Sequence, residues 1–273
     1  VITVARDPNL EAMDRELLQR APFRKSVVDL VGHAGRGWTR SFVQRTKTRI
    51  ARSGVRIGIQ SAEAVGPHGA LLRLARAHPA DLTIAHTEVG LCVARDLATE
   101  GRRVAVDFED WHSEDLLATD RAARPLRLLR QVELELLRHA VFCTTTSASM
   151  AAALQSVSNG PPPVVITNSF PLQPCPANRI PAQTPSLLWF SQTIGPGRGL
   201  EQFIDAWSSS HTKSRLCLLG NVDQAYRAHL VQRAASHRRD AIEYLPIVPQ
   251  WELPAVIARH DVRLALDAVS PRS

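Results

Sequence analysis

Short apolar runs alternate with longer segments of helical periodicity along most of the chain. Apolar positions three and four residues apart, such as Leu71, Leu74 and Ala75, predict the helices. Strands rich in Val, Ile and Leu that alternate with helices are typical of a parallel sheet covered on both faces. We therefore predict an α/β fold, with parallel sheets flanked by helices. In the first part of the chain the predicted strands lie at 1–5, 26–31, 55–59, 81–86, 103–107, 141–145 and 164–167.

A proline-rich polar segment without periodicity interrupts this alternation, and a second α/β series follows it. We predict one domain at 1–172, a linker at 173–185 and a second domain at 186–273. Four strands without a closing helix are few for such a domain. We therefore expect that the second domain is incomplete and that the natural protein continues. The strands predicted in the second domain lie at 187–190, 215–219, 242–245 and 262–266.

The first predicted strand of the second domain leads into a glycine-rich segment that carries one cation. Residues 191–199 read SQTIGPGRG, and a segment of helical periodicity begins at Leu200. Backbone amides at a helix start attract anions, glycines let a ligand approach the backbone, and the guanidinium of Arg198 suits a phosphate. The same pattern is typical of a tight turn with a solvated arginine. On this segment alone both interpretations stand.

Composition narrows the classes of partner. The chain carries 33 Lys and Arg against 26 Asp and Glu, a net charge of +7, which suits nucleic acid, an anionic membrane face or a phosphorylated substrate. Aromatic residues make up only 5% and are not interleaved with basic ones, so we expect no nucleic-acid partner. No apolar run approaches the length of a membrane span. The four cysteines form no CxxC pair, which favours reduced thiols in a cytoplasmic protein and argues against zinc.

Four segments, in a fixed order, carry a family resemblance. They are DLTIAH at 81–86, VAVDFEDWHSE at 104–114, AVFCTTTS at 140–147 together with VVITNSF at 164–170, and QTIGPGRGL at 192–200. LLG at 218–220 and LPIVPQWELP at 245–254 extend the match. Together these segments resemble the GT-B glycosyltransferases, and their wording is most similar to the retaining, glycogen-synthase-like group (family four).

The resemblance implies two Rossmann-like domains that transfer a sugar, with retention, from a nucleotide-diphosphate sugar to a polysaccharide or lipid-linked acceptor. The second domain would bind the donor and the first the acceptor. Arg198 takes the place of the cation that neutralises charge on the leaving diphosphate. Gly197 and Gly199 would let the backbone approach that phosphate. Gly220 would pass close to the nucleotide, and backbone atoms around Val248 would meet the nucleobase.

Two departures from the family pattern affect the candidate site. Gln192 stands where a second cation is usual, and its neutral hydrogen bonds are about half as strong as charge-assisted ones. Glu109 stands where the family has a histidine, and with Asp110 it is a candidate catalytic carboxylate. His86 is the candidate acceptor-side residue. The family's spaced pair of sugar-binding glutamates is missing, so we expect this chain to bind donor weakly and to turn over poorly.

Each candidate also has a purely structural interpretation. His86 can close a strand, and Glu109 and Asp110 can begin a helix, since acids favour that end. Asp107 and the two acids after it resemble a D-x-D metal motif, but GT-B enzymes generally bind no metal through carboxylates. We expect no metal and no cofactor other than the nucleotide-sugar substrate.

Arginine-rich segments leave the membrane question open. The series Arg121, Arg124, Arg127 and Arg130, and an early series with Arg36, Arg40 and Arg45, are either solvated faces or contacts for anionic lipid at the inner membrane face. Two alternatives to transfer also stay open, a sugar-nucleotide epimerase of GT-B shape and a non-catalytic nucleotide-sugar-binding protein.

Overall fold

A computed structural model describes residues 1–5, 18–19, 22–30, 37–114, 121–169 and 183–266. The chain divides into two compact units, Val1–Ser169 and Phe170–Ser273, called here the N-terminal and C-terminal units. Most of the predicted linker, together with Arg36 and Cys175, lies outside the described residues. The predicted domain boundaries stay a prediction.

The N-terminal unit alternates parallel strands with helices. Its strands are β1 (Ile2–Ala5), β2 (Ser26–Asp29), β3 (Thr83–Ala85), β4 (Val104–Phe108), β5 (Cys143–Thr145) and β6 (Val164–Val165). Its helices are α1 (Gly37–Val55), α2 (His68–Ala77), α3 (Thr87–Thr99), α4 (Leu126–His139) and α5 (Ala148–Ser158), with a short 3₁₀ turn at Ala62–Ala64. β1 and β2 form one parallel pair, and β3-β4-β5-β6 form a parallel four-stranded sheet.

The core of the N-terminal unit lies between this sheet and helices α3 and α4. Helix α3 is apolar nearly all round and is buried accordingly. Burying one such leucine contributes roughly 1.5–3 kcal/mol relative to leaving it exposed. The fully buried side chains of this core include Leu91, Leu97, Val106, Phe108, Leu129, Val132 and Leu136.

The strand predicted at 55–59 is wrong. Helix α1 continues to Val55, and the amides of Ile57 and Ile59 both donate to the carbonyl of Gly54, at 3.1 and 2.9 Å. Gly58 has a φ of +89°, which glycine adopts at little cost. The alternation of Val55, Ile57 and Ile59 imitates a strand, but good helix formers precede it and propagate the helix into it.

The C-terminal unit holds a second parallel sheet. Its strands are β7 (Ser186–Ile194), β8 (Arg215–Val222), β9 (Ile242–Leu245) and β10 (Val262–Arg263), and its helices are α6 (Leu200–Ser209), α7 (Gln224–Arg233) and α8 (Leu253–Ala258). A 3₁₀ helix, Ser236–Ala241, precedes β9. The strand order is β10-β7-β8-β9. The chain therefore moves outward from β7 to β9 and then returns to the other side of β7.

Both faces of this sheet are apolar, because successive residues of a strand point to opposite faces. Leu216 and Leu218 of β8 pack with Ile204, Trp207 and Leu230 of α6 and α7. On the other face Cys217 and Leu219 pack with Leu188 and α8. The predicted α/β class with parallel sheets is confirmed in both units.

Three of the four cysteines are described, and all three are free and buried. Burial raises the pKa of the Cys92 thiol to about 12. Burial also raises the pKa values of Cys143 and Cys217, each to about 11. The prediction of buried, reduced thiols is confirmed for these three residues.

Candidate functional site

The glycine-rich segment begins later than predicted, because β7 runs on to Ile194. Ser191 and Gln192 thus belong to the strand, at a shift of register against β8 between Phe190 and Thr193. Gln192 is exposed there. The turn itself comprises only residues 195–199 and leads directly into α6.

Two glycines in the left-handed region shape this turn. Gly197 has a φ of +78° and Gly199, which caps α6, has a φ of +73°. A residue with a side chain at such a position costs about 1–2 kcal/mol. No side chain caps the first amides of α6. Arg198 lies between the two glycines, exposed, and no residue of the described ranges pairs with its guanidinium.

The acid in the first turn of α6 is engaged elsewhere. Glu201 accepts a hydrogen bond from the Tyr226 hydroxyl at 2.7 Å, and its carbonyl accepts one from Arg233 at 3.2 Å. Burial, and then the bond to Glu201, raise the pKa of Tyr226. Arg198 is therefore the charge at the start of α6 that remains available to an anion among the described residues.

The strand order of the C-terminal sheet places this turn where its direction of strand addition reverses. β7 has β8 on one side and β10, the last strand to be added, on the other. In open parallel sheets, ligands bind outside the carboxyl ends of the strands where the order reverses in this way. The turn at 195–199 follows the carboxyl end of β7 and so lies at this switch point.

The packing of the C-terminal unit by itself accounts for the residue types at Gly220 and Val248. A Cβ on Gly220 would lie 2.3 Å from the carbonyl oxygen of Ser191, so β8 can pass the end of β7 only with glycine here. The side chain of Val248 packs with Leu188 and Leu219 and lines a small cavity of about 260 Å³. Because this side chain is packed, a ligand would contact Val248 through its backbone atoms. The nucleotide contacts of both residues stay predictions.

Three side chains meet near the carboxyl ends of neighbouring strands in the N-terminal unit. His86 follows β3, Asp107 lies in β4 and Thr144 lies in β5. His86 Nδ1 is 3.1 Å from Asp107 Oδ2, and the Thr144 hydroxyl donates to Asp107 Oδ1 at 2.6 Å. The carboxylate thus holds the imidazole from one side. The His86 side chain is 54% exposed, which leaves the ring accessible to solvent.

The candidate carboxylates Glu109 and Asp110 follow β4 and are exposed. Among the described residues, no hydrogen bond joins them to His86 or Asp107, and their catalytic role stays a prediction. The chain then turns inward. Burial lowers the pKa of His112 against the opposing effect of Asp110.

Comparison with known proteins adds the fold family. No protein-family profile and no curated protein sequence matches this chain. Among solved structures, HepE from Anabaena in complex with UDP and glucose superposes with a TM-score of 0.59, at 15% identity over 99% of this chain and 75% of that chain. The sucrose-phosphate synthase of Thermosynechococcus elongatus superposes with a TM-score of 0.63, at 14% identity over 100% and 76%. The fold is that of the GT-B glycosyltransferases. Membership of family four stays a prediction.

Sequence reasoning missed the partners of His86. Asp107 and Thr144 lie near the ends of the next two strands, and parallel strands bring such positions to one edge of a sheet. That signal was present in the sequence. Glu133 was also missed. It occupies an apolar position of α4, and its carboxylate accepts the amide of Ser113 at 3.0 Å in the interior.

The predicted arginine series at 121–130 is not one helical face, because α4 begins only at Leu126. Glu114 pairs with Arg121 at 3.4 Å and with Arg130 at 3.0 Å, and Glu88 pairs with Arg124. These three guanidiniums are therefore engaged within the N-terminal unit.

Within the part of the chain that the structure describes, no group of three or more His, Cys, Asp and Glu side chains is gathered in a way that suits a metal ion. No helix in the same ranges is long and apolar enough to cross a membrane.

Proposed function

We propose that this chain transfers a sugar from a nucleotide-diphosphate sugar to a hydroxyl of a polysaccharide or lipid-linked acceptor, in the manner of the retaining, glycogen-synthase-like group. One observation carries the proposal. A turn with two left-handed glycines and an available arginine follows β7, where the strand order of the C-terminal sheet reverses.

The chemistry of this turn suits a diphosphate leaving group. When the bond to the sugar breaks, negative charge builds up on the diphosphate, and preorganised donors lower the free energy of that state. Arg198 and the uncapped amides at the start of α6 supply such donors. Gln192 adds neutral hydrogen bonds. HepE is described in complex with UDP-glucose, so a uridine-diphosphate sugar is the first donor to test.

The acceptor side of the proposal rests on His86. With Nδ1 held by Asp107, the other ring nitrogen is free to bind an acceptor hydroxyl and to take its proton. Glu109 and Asp110 are the candidate carboxylates for a second contact to the acceptor.

Titration calorimetry with UDP-glucose tests the donor assignment. We expect Arg198→Ala to weaken binding about tenfold or more, because hydrogen bonds to charged groups are worth roughly 1.5–3 kcal/mol. Lys213→Ala is the matched control. It removes an exposed cation that precedes the amino end of β8, whereas the turn follows the carboxyl end of β7. Equal affinities of wild type and Arg198→Ala would refute the assignment of this turn.

The His86–Asp107 pair also favours a second candidate, transfer with inversion. An inverting displacement requires a base for the acceptor hydroxyl, and an imidazole oriented by a carboxylate can act as one. The anomeric configuration of the first product, observed by proton NMR, separates retention from inversion. The same spectra reveal an epimerised nucleotide sugar. Binding without any reaction would identify a non-catalytic nucleotide-sugar-binding protein.

A further inference from the structure

Helix α1 buries polar side chains and exposes apolar ones. Ser41 is fully buried and donates to the carbonyl of Asp29 at 2.9 Å, and the buried Gln44 donates to Glu63 at 2.6 Å. Trp38 and Phe42, by contrast, are 55% and 54% exposed. Large apolar side chains exposed together mark an interaction surface. The others on and directly after the helix are Val43, Ile50, Ile57 and Ile59.

Arginines recur along the same helix and continue past its end. Positions three and four apart on a helix share one side, and Arg45, Arg49, Arg52 and Arg56 follow this spacing. All four line a cavity of about 490 Å³, and no acid is found among the described residues of its lining. Arg52 Nε donates to the carbonyl of Ala64 at 2.9 Å. No residue of the described ranges forms a salt bridge with any of the four.

The aromatic pair belongs to this side of the helix as well. Trp38 and Phe42 precede Arg45 at the same spacing of four and three residues. Their rings stack with centroids 5.6 Å apart. Helix α1 contains no Asp or Glu, so no acid of its own offsets the cations. One continuous stripe, called here the α1 stripe, therefore carries two aromatic rings followed by four guanidiniums.

We propose that the α1 stripe docks on an anionic phospholipid surface, with headgroup phosphates in the arginine-lined cavity. Guanidinium groups bind phosphate oxygens in pairs, and tryptophan and phenylalanine enter the interfacial layer of a bilayer. A soluble phosphate has no apolar surface to cover the half-exposed rings of Trp38 and Phe42.

Co-sedimentation with lipid vesicles tests this proposal. The full chain is mixed with vesicles of phosphatidylcholine alone, or of phosphatidylcholine with phosphatidylglycerol. We expect binding to the mixed vesicles only. The triple variant Arg45→Gln, Arg49→Gln, Arg56→Gln should bind about a hundredfold more weakly, because each cation near the surface contributes roughly a fivefold gain in partitioning.

The matched control removes the same charge elsewhere. Arg73→Gln, Arg103→Gln and Lys213→Gln together change three exposed cations outside the stripe, and this variant should bind like wild type. Trp38→Ala with Phe42→Ala should weaken binding while leaving every charge in place. Circular dichroism checks that each variant folds. Should the triple variant not fold, Arg49→Gln alone, together with the loss of wild-type binding as sodium chloride is raised, carries the test.

Three outcomes would overturn the proposal. They are equal binding to both kinds of vesicle, equal losses in the triple variant and its control, and calorimetric binding of inorganic pyrophosphate to the arginines without any vesicle binding. The last result would identify a soluble phosphate as the ligand. No donor sugar is present in these measurements, so their result is independent of the proposed transfer reaction.

Discussion

At the residue scale, Asp107 fixes the orientation of His86 through a contact of 3.1 Å. If His86 takes the proton of the acceptor hydroxyl, His86→Asn should lower the transfer rate about a hundredfold or more, the usual contribution of a positioned base. Asp107→Asn should lower it in the same direction but by less. Calorimetry with UDP-glucose is the control, because the donor turn lies in the other unit and its affinity should not change. A transfer rate in His86→Asn equal to that of wild type would remove this residue from the mechanism.

Another residue-scale prediction concerns Glu133, whose environment is unusual for a carboxylate. Burial raises its pKa from 4.5 to about 7, although the bonded amide of Ser113 opposes this effect. Between pH 4.5 and about pH 7, Glu133 keeps its proton in the folded protein, whereas the unfolded chain releases this proton. Its contribution to the free energy of unfolding is therefore present below about pH 4.5 and declines as pH rises through about 7, by up to roughly 3 kcal/mol.

Glu133→Gln should remove this pH dependence, because glutamine has a similar shape and never ionises. Urea unfolding followed by circular dichroism at mildly acidic and mildly alkaline pH measures the slope. Glu135→Gln, two positions along the same helix, is the control, since Glu135 bonds only to the neighbouring Gln131 at 2.8 Å among the described residues. An unchanged slope in Glu133→Gln would contradict the prediction.

At the element scale, the end of β7 is shaped by its neighbour β8. A Cβ on Gly220 would lie 2.3 Å from the Ser191 carbonyl and 3.1 Å from Ile194, whereas a Cβ on Gly195 would meet nothing within 4 Å. We expect Gly220→Ala to lower the free energy of unfolding by about 2 kcal/mol, the usual cost of forcing extra atoms into packed structure. Gly195→Ala should be close to neutral. Urea unfolding of the two variants gives the comparison, and equal stabilities would show that β8 can move aside.

The elements also show how far sequence patterns predict structure. β9 was predicted with the observed bounds, 242–245, because its apolar residues Ile242, Tyr244 and Leu245 are followed by Pro246. β7 extends four residues further than predicted, through the polar residues Ser191, Gln192 and Thr193, because its pairing with β8 resumes at Thr193 and Ile194 beyond the shift of register. The false strand at 55–59 arose because a helix end imitated alternation.

At the scale of the whole molecule, fold and site differ in how they depend on sequence. The chain shares its fold with two proteins at 14% and 15% identity, because many different apolar residues can fill the same layers. The candidate site depends on single positions. The glycine turn could be predicted from its residues, whereas the meeting of His86, Asp107 and Thr144 required the order of the strands.

The structure also shows which parts of the chain carry the positive charge behind the net value of +7. Three arginines of the series at 121–130, Arg121, Arg124 and Arg130, form salt bridges with Glu88 or Glu114. No acid of the described residues pairs with the arginines of the α1 stripe, so the stripe concentrates positive charge that the composition alone distributes over the whole chain.

The buried thiols make the chain a favourable subject for chemical labelling. With a pKa of about 11, roughly one thiol in ten thousand is ionised at neutral pH, and only the thiolate reacts with common reagents. Once Cys175 is replaced by serine, a cysteine introduced at Lys213 in the C-terminal unit and another at Arg73 in the N-terminal unit would be the sites that react. A pair of fluorophores attached there would report changes in the distance between the two units as UDP-glucose is added.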